Sequence, residues 1–300
     1  MKVFKIALWY CQYLVIRFGS FLYSLVPAYK AYNLGFGVAK ALYPLFKARH
    51  RIAVDNILQS KITNDPLRAA AIARTSFCHF AGHLCEALKV RDVITEKNWR
   101  DHVVIEGTKE DSWNLLMEKP DTPIMLLTGH HGAWEAATTL IPFTRPMIAI
   151  ARTMDNPFLT RFLEKNHFRG RITVVAKDSG LTPQVLRQWK AEKAALTLVM
   201  DQHSSDRHRV LSDFMGRPAY TQSSAARIYL KTGYPVMVGA FLRDGPFQYR
   251  MLGTKPMNLV PTGDKQKDIE TFVNEMNQRL EFLIRRYPEQ YLWSHRRWRA

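Results

Sequence analysis

Three hundred residues, 47% of them apolar and 12% aromatic, provide for a sizeable core and exclude a disordered chain. Lysine and arginine number 43 against 26 aspartates and glutamates, a formal charge of +17, so the favoured partners are anionic: nucleic acid, an anionic membrane surface, a phosphorylated substrate or an acidic protein. The three cysteines, Cys11, Cys78 and Cys85, have no CxxC or metal-ligand spacing. That argues against a disulfide framework.

No acidic residue precedes Asp55. Lys2, Lys5, Arg17, Lys30 and Lys40 are set instead among Trp9, Tyr10, Tyr13, Phe18 and Phe21. Basic, aromatic and apolar residues without acids match a segment lying in a membrane interface; a core helix with a basic outer face is the alternative. The uncharged runs 6–16 and 18–29 each fall short of the roughly 20 residues a span needs. Joined, they would hold Arg17 inside the bilayer at a cost of about 2.5–3.5 kcal/mol. Residues 1–45 are therefore expected as one or two interfacial helices, with a single span as second choice. No small-x-small cleavage site supports a signal peptide.

Residues 51–92 carry apolar side chains at helical intervals. From about 100 the texture alternates. Val103–Ile105, Ile124–Leu127, Met147–Ile150, Ile172–Ala176, Leu196–Met200 and Val236–Phe241 read as strands. About 108–118, 132–141, 157–168, 181–192 and 221–232 read as helices. Phe247–Leu252 adds a strand with an antiparallel neighbour, and a last helix at 266–286 stops before Pro288. The expectation is an α/β domain over 46–300, with a mixed, mainly parallel central sheet flanked by helices, preceded by the membrane-associating helical segment.

The densest chemistry lies at Thr128-Gly-His-His-Gly-Ala-Trp-Glu135. Five positions apart on one helix, His130 and Glu135 would not face each other. At a strand–turn–helix junction they can meet, beyond the carboxyl end of a strand where α/β sites gather. A largely neutral imidazole held by a carboxylate is an oriented general base. No serine or cysteine beside it offers a nucleophile, so an acceptor hydroxyl would attack directly. A glutamate in a first helical turn is also favoured by the helix dipole alone, and His131 is an alternative base. His130, His131, Asp201 and His203 could be read as metal ligands, but no recognised spacing supports this, and neither a metal nor a cofactor is expected. Arg152, at a strand end, could grip a phosphate bidentately. Gly216-Arg217-Pro218 reads as a turn. Trp293 is expected to dock on the sheet, with Arg296 and Arg297 as surface charge. No basic face with stacking aromatics points to nucleic acid, so no nucleic-acid partner is expected.

These residues resemble the bacterial lipid A biosynthesis lauroyl/myristoyl acyltransferases, a branch of the lysophospholipid acyltransferase superfamily. The block at 128–135 is similar to that family's Gly-His-x-Gly-Asn-Trp-Glu signature. Further blocks follow in the family's order: Ala151-Arg152-Thr-Met-Asp-Asn-Pro157, Met200-Asp201-Gln202-His203, Phe214-Met-Gly-Arg217-Pro-Ala219 with Thr221, and Pro288-Glu-Gln-Tyr-Leu-Trp-Ser-His-Arg-Arg297. The resemblance implies acyl transfer from acyl carrier protein or acyl-CoA to a hydroxyl of an anionic membrane lipid, at the cytoplasmic face of the inner membrane. It implies His130 as base, oriented by Glu135, and substrate contacts from Arg152, Gln202, Arg217 and Thr221. Ala133 and His203 depart from the family pattern, and a later family arginine falls on Arg169 or Arg171. Relatives in the superfamily also acylate mannosylated phosphoinositides and amino-acid lipids.

Overall fold

A computed structural model describes residues 2–106, 121–151, 155–166, 170–176 and 182–299. The N-terminal segment opens with α1 (Lys2–Ser24), one continuous helix through Arg17 that ends before Pro27. Phe4, Leu8, Leu14, Val15, Phe18 and Phe21 remain exposed on it. Among the described residues no helix is long and apolar enough to cross a membrane. Next, α2 (Ala31–Leu42) buries Ala31, Tyr32, Gly35 and Ala39, a helical stripe. At Gly35 a side chain would stand 2.5 Å from the Ala81 carbonyl, so glycine lets α2 press against the helix carrying Ala81.

That helix is α4 (Pro66–Ala87), which follows α3 (Lys47–Gln59). The helical texture of 51–92 is thus divided. Lys61 takes a φ of +53° in the break, and Asp65 caps α4 by accepting the Leu67 N–H at 2.8 Å. Pro66 in the first helical position has no amide to leave unpaired. Cys78 and Cys85 both lie on α4. A single turn, α5 (Val90–Val93), leads to the sheet.

The α/β part runs β1 (Val103–Glu106), β2 (Ile124–Thr128), α6 (Trp134–Leu140), β3 (Met147–Ala151), α7 (Pro157–Asn166), β4 (Ile172–Ala176), α8 (Pro183–Ala191) and β5 (Ala195–Val199). After these come β6 (Arg209–Phe214), β7 (Arg217–Gln222), α9 (Ser224–Thr232), β8 (Val236–Gly245), β9 (Gln248–Gly253) and α10 (Lys265–Arg286). The large sheet has the order β1-β9-β8-β2-β5-β3-β4 and is parallel except between β8 and β9. Strands covered on both faces read as unbroken apolar runs, as in Ile124-Met-Leu-Leu127, all buried. The mainly parallel sheet flanked by helices matches the expectation. The expected helix near 108–118 and the last residues of that at 157–168 lie outside the described residues.

One element escaped the sequence reading. β6 and β7 form an antiparallel hairpin apart from the main sheet. The turn is at Met215-Gly216, with φ of +58° and +75°, the handedness that matches the strands' twist. Arg217 and Pro218 belong to β7 rather than to the turn; Pro218 is tolerated because a two-stranded ribbon is all edge. Asn277 of α10 ties the hairpin down, donating to the Ser212 hydroxyl at 3.0 Å and the Asp213 carbonyl at 2.7 Å.

Candidate active site

β2 ends at Thr128, and the chain turns sharply before α6. Gly132 makes the turn possible with a φ of +71°, and a Cβ there would sit 2.3 Å from the Phe241 carbonyl oxygen of β8. The turn is fastened from both sides. Gly132 N–H donates to Gln290 O at 2.9 Å, Ala133 N–H to Phe241 O at 2.6 Å, and Leu292 N–H to His130 O at 3.0 Å. The C-terminal block is therefore the backing of the His130 turn. Gly132→Ala is expected to cost upward of about 2 kcal/mol, left-handed strain plus a backbone clash, read as a lower thermal midpoint. An unchanged midpoint would show that the turn relaxes freely.

β5 lies beside β2 and parallel to it, so the residues just past their ends meet. The carboxylate of Asp201 reaches His130 twice: Oδ1 lies 2.9 Å from the ring Nδ1, and Oδ2 accepts the His130 backbone N–H at 3.0 Å. One acid thus fixes both the backbone and the ring of one residue. Gly129 gives it room, since a Cβ there would stand 3.2 Å from the Asp201 carboxyl carbon. The buried Tyr291 phenol feels the charge of Asp201, and the buried Arg297 is close enough to stabilise that charge. Burial disfavours a charged Asp201, yet His130 and Arg297 outweigh it and hold the carboxyl down to about 2. Burial likewise opposes a charged His130, but Asp201 and, more weakly, Glu135 outweigh it and raise the imidazole above its ordinary value.

The carboxylate on Nδ1 is therefore Asp201, where the sequence reading expected Glu135. Glu135 sits half-buried in the first turn of α6, its Oε2 atom buried and without a hydrogen-bond partner among the described residues. Burial pushes it up to about 8, so it stays mostly protonated at neutral pH. It lines the same cavity as His130. On the other ring nitrogen, Gln202 Nε2 lies 3.3 Å from His130 Nε2. Trp134 closes one side, its ring edge-on to His130 at 5.1 Å.

The cavity has a volume of about 420 Å³ and runs from His130 past Leu126, Ile141, Ala149, Val199 and Met237. Its size is that of a ligand pocket, and its walls are mostly apolar. Gln202 and His203 line it beside His130.

Other expected site residues lie elsewhere. Thr221 is fully buried, its hydroxyl taken by Arg297 Nη2 at 2.5 Å and by Ser212 at 2.8 Å. Arg217 stacks over Trp298 at 4.4 Å. Neither lines the cavity. Arg152 and Arg169 lie outside the described residues, and Arg171 is exposed at the start of β4. His131, the alternative base, is buried and donates from Nε2 to the Tyr287 carbonyl at 3.0 Å; burial lowers it to about 4. Trp293 is buried as expected, but Arg297 is buried too, because it binds the Tyr220 carbonyl and the Thr221 hydroxyl. Among the described residues no three His, Cys, Asp or Glu side chains converge as metal ligands.

The fold is thus an α/β sheet that carries a histidine–carboxylate pair beside a mostly apolar cavity. The family model for bacterial lipid A biosynthesis acyltransferases matches residues 1–300, the whole chain. The chain belongs to that family and is an acyltransferase of lipid A biosynthesis, using an acyl donor and a lipid acceptor. No curated protein matches the chain in a direct sequence comparison.

Proposed function

We propose that the chain transfers a fatty acyl group from a thioester, on acyl carrier protein or CoA, to a hydroxyl of a lipid A precursor. The observation that carries this reading is the His130–Asp201 pair, whose imidazole lines the apolar cavity. Asp201 accepts from Nδ1–H, so the lone pair of neutral His130 is on Nε2. In the resting state the Gln202 amide donates to that lone pair, and an incoming hydroxyl takes its place. The hydroxyl oxygen attacks the thioester carbonyl carbon while its proton passes to Nε2. The C–S bond then breaks and the imidazolium returns the proton to the leaving sulfur. Asp201 stabilises the imidazolium as it forms. The acyl chain fills the cavity, worth about 0.8 kcal/mol per buried CH₂.

The exposed apolar residues of α1 and the basic balance of the chain support attachment in the interface of the inner membrane, on its cytoplasmic face. The direct test incubates the purified full chain with an acyl thioester and a lipid A precursor in detergent and reads the lipid by mass. A gain of one acyl group is expected. Thioester hydrolysis with no acylated lipid would remove the proposal.

The pH dependence carries a sign. The base must be neutral, and the surroundings raise His130 above 6.5. Hence log kcat/KM is expected to climb with unit slope on the acid side and to level off only above pH 6.5. A flat profile across that range would exclude His130 as the group that titrates.

A further inference from the structure

The C-terminal Arg296 and Arg299 are exposed on either side of buried Arg297. They share a surface groove with Ala48, Arg49 and Ile52 of α3 and with His295. Arg49 is anchored there by donating to the Ser294 carbonyl at 3.2 Å. Among the described residues no acidic side chain lines the groove, and neither Arg296 nor Arg299 forms an ion pair. Three guanidinium groups gathered without a counter-charge repel one another, and an anion relieves that repulsion.

The groove is linked to the active site. His295 Nε2 accepts the His203 backbone N–H at 3.2 Å, and His203 lines the apolar cavity. Arg299 is near enough to both histidines for its charge to oppose their protonation. Just before the groove residues Ala48 and Arg49, the chain enters α3 through Leu42, Leu45 and Phe46, all exposed. A free anion or an acidic protein surface would need the cations alone. An amphiphile with a phosphate head and hydrocarbon chains needs both the cations and the apolar rim.

We infer that the groove between α3 and the C-terminal segment binds the phosphomonoester headgroup of a lipid, whose chains lie along Leu42, Leu45 and Phe46. A phosphomonoester presents three terminal oxygens, each suited to charge-assisted bonds from arginine. This inference rests on the proposed acyl transfer to a lipid, for which the groove would hold the acceptor beside His130.

The test uses the full chain and vesicles of phosphatidylcholine doped with phosphatidic acid, a phosphomonoester, or at matched charge with phosphatidylglycerol, a phosphodiester. The Arg296→Gln/Arg299→Gln variant is expected to bind the phosphatidic acid vesicles about tenfold more weakly, the loss of about 1.4 kcal/mol. Its binding to phosphatidylglycerol vesicles should stay close to that of wild type. Both arginines are exposed, so folding is not at risk. Arg296→Lys/Arg299→Lys should restore part of the loss, and removal of two exposed arginines elsewhere, Arg100→Gln/Arg187→Gln, should leave both affinities alone. Unchanged binding by the glutamine variant would overturn the inference. So would equal weakening on both vesicles, which means diffuse charge attraction, or weakening only toward an acidic carrier protein. Vesicle binding is read without turnover, so a chain that binds but never transfers would sink the acyl-transfer reading and leave the groove standing.

Discussion

Asp201→Asn is expected to lower the rate of acyl transfer by about 10³–10⁴-fold, the scale seen when the acid behind a catalytic histidine becomes an amide. An amide at this position offers an N–H toward Nδ1. The imidazole then keeps its proton on Nε2 and has no lone pair for the attacking hydroxyl. The substitution also removes the charge that outweighs burial at His130. The acid limb of the pH profile should accordingly move down, below pH 6.5, while the plateau falls. A merely structural role would lower the plateau and leave the limb in place. Glu135→Gln keeps the bond to Nδ1 and exchanges one neutral group for another near neutral pH, so its cost should be far smaller. If Glu135→Gln proved the more damaging of the two, the orienting role would return to Glu135. Circular dichroism and thermal midpoints must accompany both, because Asp201 also balances the buried Arg297.

Glu86→Ala should be the most damaging single change to stability away from the active site, at about 3–5 kcal/mol. Glu86 is buried on α4 and accepts from Arg243 Nε and Nη2 at 3.0 Å each, from the Tyr249 hydroxyl at 2.9 Å and from the Phe247 N–H at 3.4 Å. The Arg243 guanidinium also lies over the Tyr32 ring at 3.6 Å. One carboxylate therefore joins α2, α4 and the β8–β9 pair. Removing it leaves a buried cation and a buried hydroxyl without partners, and that orphaning is what makes the loss large. The thermal midpoint should fall by on the order of 10 °C. A fall of a degree or two would mean that water reaches Arg243. Replacing Glu86 and Arg243 together with apolar residues of similar size should cost much less than Glu86→Ala, since a buried pair exchanged whole leaves no orphan.

The chain by itself determined what short-range periodicity and local chemistry can encode. Ile124-Met-Leu-Leu127 declares a buried strand, Gly132 its sharp turn, and Trp134–Leu140 the helix after it, because strand and helix periods repeat within a few residues. His130 could be picked out as a candidate base for the same reason: the strand, the turn and the imidazole are consecutive. At 209–222 the sequence signals a turn at Gly216 but not its strands, because Pro218 reads as turn rather than strand and Met215 carries no turn preference. Only the tertiary structure decided which acid serves His130. Glu135 is near in sequence, but Asp201 is near in space, because β5 inserts beside β2 and the carboxyl ends of parallel neighbours converge. The same long-range packing drew Thr221 and Arg297 into the interior and left Arg296 and Arg299 outside. Strand order and the burial of a polar side chain follow from contacts between segments far apart along the chain, and no local window of residues contains them.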